Sequence, residues 1–122
     1  RHIPMAVATS SQTAIATHKL NKAGLLDYFD IVIGGDQVAN SKPQPDIFLK
    51  AIAALSCQPS TCIAFEDSPN GVRSAVAAGM TVVQIPDLIK PDAALLELEH
   101  IVLNEISDAL TFDFKKHLNP AA

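Results

Sequence analysis

The sequence predicts an α/β domain built on a mostly parallel sheet, and three observations carry that prediction. Short apolar or β-branched runs at 3–9, 29–33, 61–66 and 81–85 alternate with stretches of helical period, the order that builds βαβ units with right-handed crossovers. The runs are apolar throughout rather than alternating, as in strands buried on both faces. With 122 residues, 48% of them hydrophobic, the chain is one domain at most and can bury a core.

Each element has a local reason. The first strand, 3–9, holds Met5, Ala6, Val7 and Ala8 in a row and stops at three hydroxyls, Thr9, Ser10 and Ser11. A helix follows from about Gln12, with Ala16, Leu20 and Ala23 on one face and Gly24 as its C′ residue. The second strand, 29–33, closes at Gly34, Gly35 and Asp36. Beyond a polar loop, Pro45 is a natural first-turn residue for a helix whose stripe is Phe48, Ala51, Ile52 and Leu55. The third strand, 61–66, ends in Glu66 and Asp67, and the turn Ser68-Pro69-Asn70 leads into a helix over 71–78. That helix carries Val72, Ala75 and Val76 on one side, with Gly79 closing it. A strand over 81–85 is stopped by Pro86, and a short helix near 92–98 and a strand near 101–103 complete the pattern. Residues 1–112 form the domain, and 113–122 read as a polar, frayed tail.

Composition excludes several roles. A net charge of −4 argues against nucleic acid or a membrane surface as partner, and no apolar run is long enough to span a bilayer. Too few apolar residues precede Ala6-Val7-Ala8 for a cleaved leader. Cys57 and Cys62 lack a CxxC spacing or a second pair, which disfavours zinc. Cys62 reads as a small core residue, in keeping with a reducing cytoplasm. His2, His18, His100 and His117 show no ligand spacing. Arg1 directly before a core-like strand is an odd place for a domain to start.

Chemistry gathers at the strand ends. A parallel sheet puts its strand C-termini on one edge, which brings Thr9 with Ser10 and Ser11, Lys42, and Glu66 with Asp67 to one place. Hydroxyls and successive backbone N–H groups bind phosphoryl oxygens, a lysine adds a point charge, and an acid pair suits Mg²⁺, which takes one or two carboxylates besides water and phosphate. Each group alone has a plainer explanation. Thr9-Ser10-Ser11 is more often a helix N-cap, Lys42 a solvated loop lysine, and Glu66 with Asp67 a cap on the next helix. The three together resemble the electrostatic half of a phosphoryl-transfer site.

Three segments carry a family resemblance. Ala6-Val7-Ala8-Thr9-Ser10-Ser11, Ser41-Lys42-Pro43-Gln44-Pro45-Asp46-Ile47-Phe48 and Phe65-Glu66-Asp67-Ser68-Pro69-Asn70-Gly71 resemble motifs two, three and four of the haloacid-dehalogenase superfamily. Among its members the chain is most similar to β-phosphoglucomutase-like phosphatases with a helical cap. The resemblance implies a Rossmann-like three-layer αβα fold. It makes Thr9 a hydrogen-bond donor to the transferring phosphoryl group and Lys42 the residue that holds this group together with a nucleophilic aspartate. Glu66 and Asp67 would bind Mg²⁺.

The departures are as informative. The family's first motif, Asp-x-Asp on the central strand, has no counterpart before Thr9, and the helical cap that sets substrate choice is also absent. The resemblance therefore implies the C-terminal part of a core domain, lacking the N-terminal central strand and the cap. The expected partners are a small phosphorylated metabolite and the missing N-terminal segment of the same protein. The expected activity is that of a cytoplasmic Mg²⁺-dependent phosphoric monoester hydrolase or phosphomutase working through an aspartyl-phosphate, with this chain inactive alone. Two alternatives stand beside it, a non-catalytic phosphate- or metal-binding module and a receiver-type signalling domain. In receivers the acids come first, the hydroxyl later and the lysine last, whereas here the order is hydroxyl, lysine, acids.

Overall fold

A computed structural model of the chain describes residues 3–87, 90–116 and 118. The elements run β1 (Ala6–Ala8), α1 (Thr13–Lys22), β2 (Ile31–Ile33), α2 (Asp46–Ala54), β3 (Ile63–Glu66), α3 (Pro69–Ala77), β4 (Thr81–Gln84), α4 (Ala93–Leu96) and β5 (Ile101–Val102). Alternation of strand and helix, with every pairing parallel, bears out the α/β fold class. The strands are shorter than the apolar runs. Just ahead of β1 the pairing is half side chain, because Asp30 N donates to Met5 O at 2.8 Å while Met5 N donates to Asp30 Oδ2 at 2.8 Å. Ahead of β3 the chain turns in a 3-10 helix, Pro59–Thr61, with proline in its first turn. Gly24 and Gly79 end α1 and α3 with φ of +71° and +85°, the left-handed conformation that favours glycine after a helix.

Among the described residues the strands form two sheets, β1–β2 and β3–β4–β5, where the sequence predicts a mostly parallel sheet lacking its central strand. Helices join them. α2 lies against β1 and β2, α3 against β3 and β4, and the two helices pack on each other. Ile47, Phe48, Ile52, Val72 and Ala75 from these helices are buried in one cluster with Ile33, Ala64 and Val82. Each larger side chain among them contributes about 1.5–3 kcal/mol by leaving water, so the helix pair is a sufficient hinge of apolar contact between the sheets.

Among the described residues no ladder joins β1 to β3, although Ala8 O accepts from Lys42 Nζ at 3.2 Å. Thr9 N donates to Ile33 O in β2, and backbone groups alternate sides along a parallel strand, so the groups of Ala6 and Ala8 turn toward β3. In β3, Cys62 O accepts from Thr81 N and Glu66 O from Ile85 N, which turns Ile63 and Phe65 toward β1. Phe65 remains 46% exposed. Its ring meets Phe114 edge-on at 5.9 Å, and Phe114–Lys116 forms a 3-10 turn. Phe114 thus makes an apolar contact with β3, while 117 and 119–122 lie outside the described residues, as do Arg1 and His2.

Candidate active site

Three strand-end segments meet in an open hollow of about 660 Å³ lined by Ala8, Thr9, Ser10, Lys42, Glu66, Asp67, Ser68, Pro69 and Asn70. Lys42 is its centre. The ammonium donates to Glu66 Oε2 at 2.6 Å and to Ala8 O at 3.2 Å, and lies 5.0 Å from the centre of the Phe48 ring. One side chain thus touches the C-terminal ends of both sheets. The Lys42 and Glu66 side chains are only 11% and 9% exposed, which makes theirs a shielded ion pair rather than a surface contact.

The loop that carries Lys42 is tied at two points. Ser74, fully buried on α3, donates from Oγ to Gln44 O at 2.6 Å. Asp46 Oδ2 accepts from Asn40 N at 3.3 Å and from Asn40 Nδ2 at 3.0 Å. The same helix α3 fixes Glu66. Ser68 caps it, with Oγ accepting from Gly71 N at 3.1 Å, and Pro69 follows in the first turn, where its missing N–H costs nothing. A Cβ on Gly71 would fall 1.9 Å from Glu66 Oε1. A side chain there would push the carboxylate from where it stands against Lys42.

Thr9, Ser10, Lys42, Glu66 and Asp67 come together as the strand-end argument anticipates, and Asp67 is exposed on the rim. Ser11 is not among the lining residues. Its backbone is engaged instead, N donating to Thr9 Oγ1 at 3.2 Å and O accepting from Gly35 N at 2.8 Å. Ser68, Pro69 and Asn70, which the sequence reading gives as a turn within the motif-four segment, also line the hollow, and Gly71 lies against Glu66. A Ser-Pro pair ahead of an apolar helical period is itself a helix-start signal and places them. A second hollow, about 440 Å³, adjoins the first and is bounded by Phe65, Asp67, Ile85, Asp87 and Ile106 among others.

Comparison with known proteins agrees with these motifs. Residues 1–85 match the haloacid dehalogenase-like hydrolase family. A fructose-1-phosphate phosphatase of Escherichia coli is 45% identical over 82 residues, 67% of this chain and 44% of that protein. A phosphorylated carbohydrates phosphatase of Thermotoga maritima is 36% identical over 104 residues, 84% of this chain and 48% of its own length. The chain thus spans about half the length of these relatives. Among solved structures, a β-phosphoglucomutase from Thermotoga maritima superimposes with a TM-score of 0.79 at 34% identity, over 89% of this chain and 51% of that one. A family hydrolase from Deinococcus radiodurans, solved with bound phosphate and sodium, gives 0.77 at 30% identity, over 98% and 56%. No helix among the described residues is long and apolar enough to cross a membrane. The receiver-type alternative falls with the family match: the chain belongs to the haloacid dehalogenase-like hydrolases, on their β-phosphoglucomutase-like side.

Proposed function

We propose that residues 1–122 form part of a Mg²⁺-dependent phosphatase or phosphomutase for a small phosphorylated metabolite such as a sugar phosphate, with the nucleophile outside this chain. The observation that carries the reading is the position of Lys42, whose ammonium reaches both Ala8 O and Glu66 Oε2 within one hollow. Thr9 and Ser10 offer hydroxyls and backbone N–H groups to phosphoryl oxygens. Lys42 supplies the balancing positive charge. A nucleophilic carboxylate arriving beside it would form a bond to phosphorus as the ester oxygen of the metabolite leaves. Water would then cleave the aspartyl-phosphate and release inorganic phosphate.

The donor set suits a hard cation. Glu66 and Asp67 are adjacent carboxylates on the hollow, and Mg²⁺ needs no more than one or two from the protein. Asp67 is the principal candidate ligand, since Glu66 Oε2 is already held by Lys42. When bound, the cation neutralises charge on the phosphoryl group.

The facing edges of β1 and β3, which no ladder joins among the described residues, support the same reading. A further parallel strand between them would find the backbone groups of Ala6 and Ala8 on one side and of Ile63 and Phe65 on the other. Its C-terminal end would emerge beside Lys42, where a nucleophile is needed. The names of the Escherichia coli and Thermotoga relatives point to phosphorylated sugars as the substrate class.

The test is phosphate release by the full-length protein from a panel of sugar phosphates, with Mg²⁺ and after chelation. Release that needs Mg²⁺ is expected, and none from residues 1–122 alone. Absence of release from every phosphate ester in the presence of Mg²⁺ would refute the reading and leave the non-catalytic module standing.

A further inference from the structure

Helix α1 starts without a cap from its own segment. Gln12 occupies the N-cap position and makes no side-chain cap bond. Three hydroxyls precede it, and a Ser or Thr there ordinarily bonds the first free N–H groups of the helix. The cap comes instead from 23 residues away, where Asp36 Oδ1 accepts from Thr13 N at 2.6 Å and from Thr13 Oγ1 at 2.8 Å. The Thr13 hydroxyl in turn accepts from Gly34 N at 3.1 Å and from Gln37 Nε2 at 2.8 Å. The turn from Gly34 to Gln37 grips the other end of the loop as well, through Gly35 N to Ser11 O at 2.8 Å.

The fit leaves no slack. A Cβ on Gly35 would lie 2.6 Å from Ser10 O, and one on Gly34 would lie 2.3 Å from Thr13 N. Backbone stands at both points, so a side chain would have to move the segment that carries Ser10. With Asp36 serving as the cap, that segment need not curl its hydroxyls onto the helix. Ser10 lines the hollow, and Thr9 Oγ1 uses a lone pair, not its proton, on Ser11 N. The carboxylate is also held in its charged, accepting form, since the Thr13 hydroxyl and N–H lower its pKa below the ordinary value.

We propose that Asp36 is a positioning residue for phosphoryl transfer: by capping α1 in place of the Thr9-Ser10-Ser11 hydroxyls, it holds that loop open toward the hollow, where Thr9 and Ser10 meet the phosphoryl group. The proposal rests on the phosphatase reading and adds a residue that lies outside the hollow.

The experiment compares Asp36→Ala and Asp36→Asn in the full-length protein, each alone and combined with Thr9→Val, by phosphate release from whichever sugar phosphate the wild type hydrolyses. Small misplacements of reacting groups are costly, up to about 10²-fold per ångström, so Asp36→Ala is expected to lower kcat/KM about tenfold. Asp36→Asn keeps the accepting oxygen and is expected to stay within about threefold. Residues that act as a unit are non-additive. In the Thr9→Val background the Asp36→Ala loss should therefore shrink to less than about twofold. Unchanged kcat/KM in Asp36→Ala, or the same fold-loss in both backgrounds, would overturn the proposal. If Asp36→Ala does not fold, Asp36→Glu, which displaces the carboxylate by one methylene, takes its place under the same criteria. A wild type that releases no phosphate defeats the phosphatase reading and this proposal together, whereas an active wild type with additive losses defeats the proposal alone.

Discussion

Lys42 Nζ and Glu66 Oε2 stand 2.6 Å apart between two sheets that share no ladder. Both side chains are about nine-tenths buried, so either charge without the other would be badly solvated. Breaking such a pair costs on the order of 3 kcal/mol or more, because the partner stays buried and uncompensated. Lys42→Ala should therefore lower both kcat/KM, by about 10²-fold, and the unfolding midpoint. Lys42→Arg keeps the charge but not the compact ammonium, and should lose activity with a smaller change in stability. Wild-type kcat/KM in Lys42→Ala would reduce it to a structural lysine.

Gly71→Ala separates two opposed effects. Alanine inside a helix is favoured over glycine by about 1 kcal/mol, yet the new Cβ would sit 1.9 Å from Glu66 Oε1. Overpacking of this kind costs about 1–3 kcal/mol, and the carboxylate must leave its contact with Lys42. The clash wins. Denaturant unfolding should show Gly71→Ala destabilised and assays should show it impaired, with a stabilised, fully active variant contradicting the geometry.

Asp67 is exposed where Glu66 is shielded, which predicts a different balance. Asp67→Asn should leave stability within about 0.5 kcal/mol while reducing kcat by about 10²-fold. It should also raise the Mg²⁺ concentration needed for half-maximal rate. A metal titration superimposable on wild type would remove Asp67 from the cation site.

The order of strands and helices was legible because each strand is a short apolar run and each helix has its own stripe. The strand-end chemistry was legible for the same reason, since parallel topology alone brings Thr9, Lys42 and Glu66 to one edge. What the sequence hides are bonds between distant segments. The cap of α1 comes from Asp36, and the Lys42 loop is fastened by Ser74, 30 residues away. No local pattern announces either. Ser11 looked equivalent to Ser10 in a run of hydroxyls, yet its backbone is held by Thr9 Oγ1 and Gly35 N and it does not line the hollow.

Acid should weaken the fold through two groups acting in the same direction. His100 Nε2 meets the Oε1 of fully buried Gln84 at 2.7 Å, and burial holds the imidazole pKa below its ordinary 6.5. The unfolded chain then takes up a proton at higher pH than the folded one, so stability is full above about pH 6.5 and falls as pH drops toward the folded pKa. Asp36, also lowered, adds a second loss below its ordinary 3.8. In the full-length protein, Tm should decline between about pH 7 and about pH 5, and His100→Gln should flatten that decline. An equal decline in the variant would assign it elsewhere.

The backbone amides of Ala8 and Phe65 test most directly whether a strand belongs between the two sheets. Both turn into the space between β1 and β3, whereas their neighbours Val7 and Ala64 turn toward strands already present. Hydrogen exchange should find Ala8 and Phe65 strongly protected in the full-length protein and fast in residues 1–122 alone, where light scattering should also report association through the open edges. Strong protection of both amides in a soluble monomer of residues 1–122 would show that the sheets close on their own, and the proposed berth for the nucleophile would not exist.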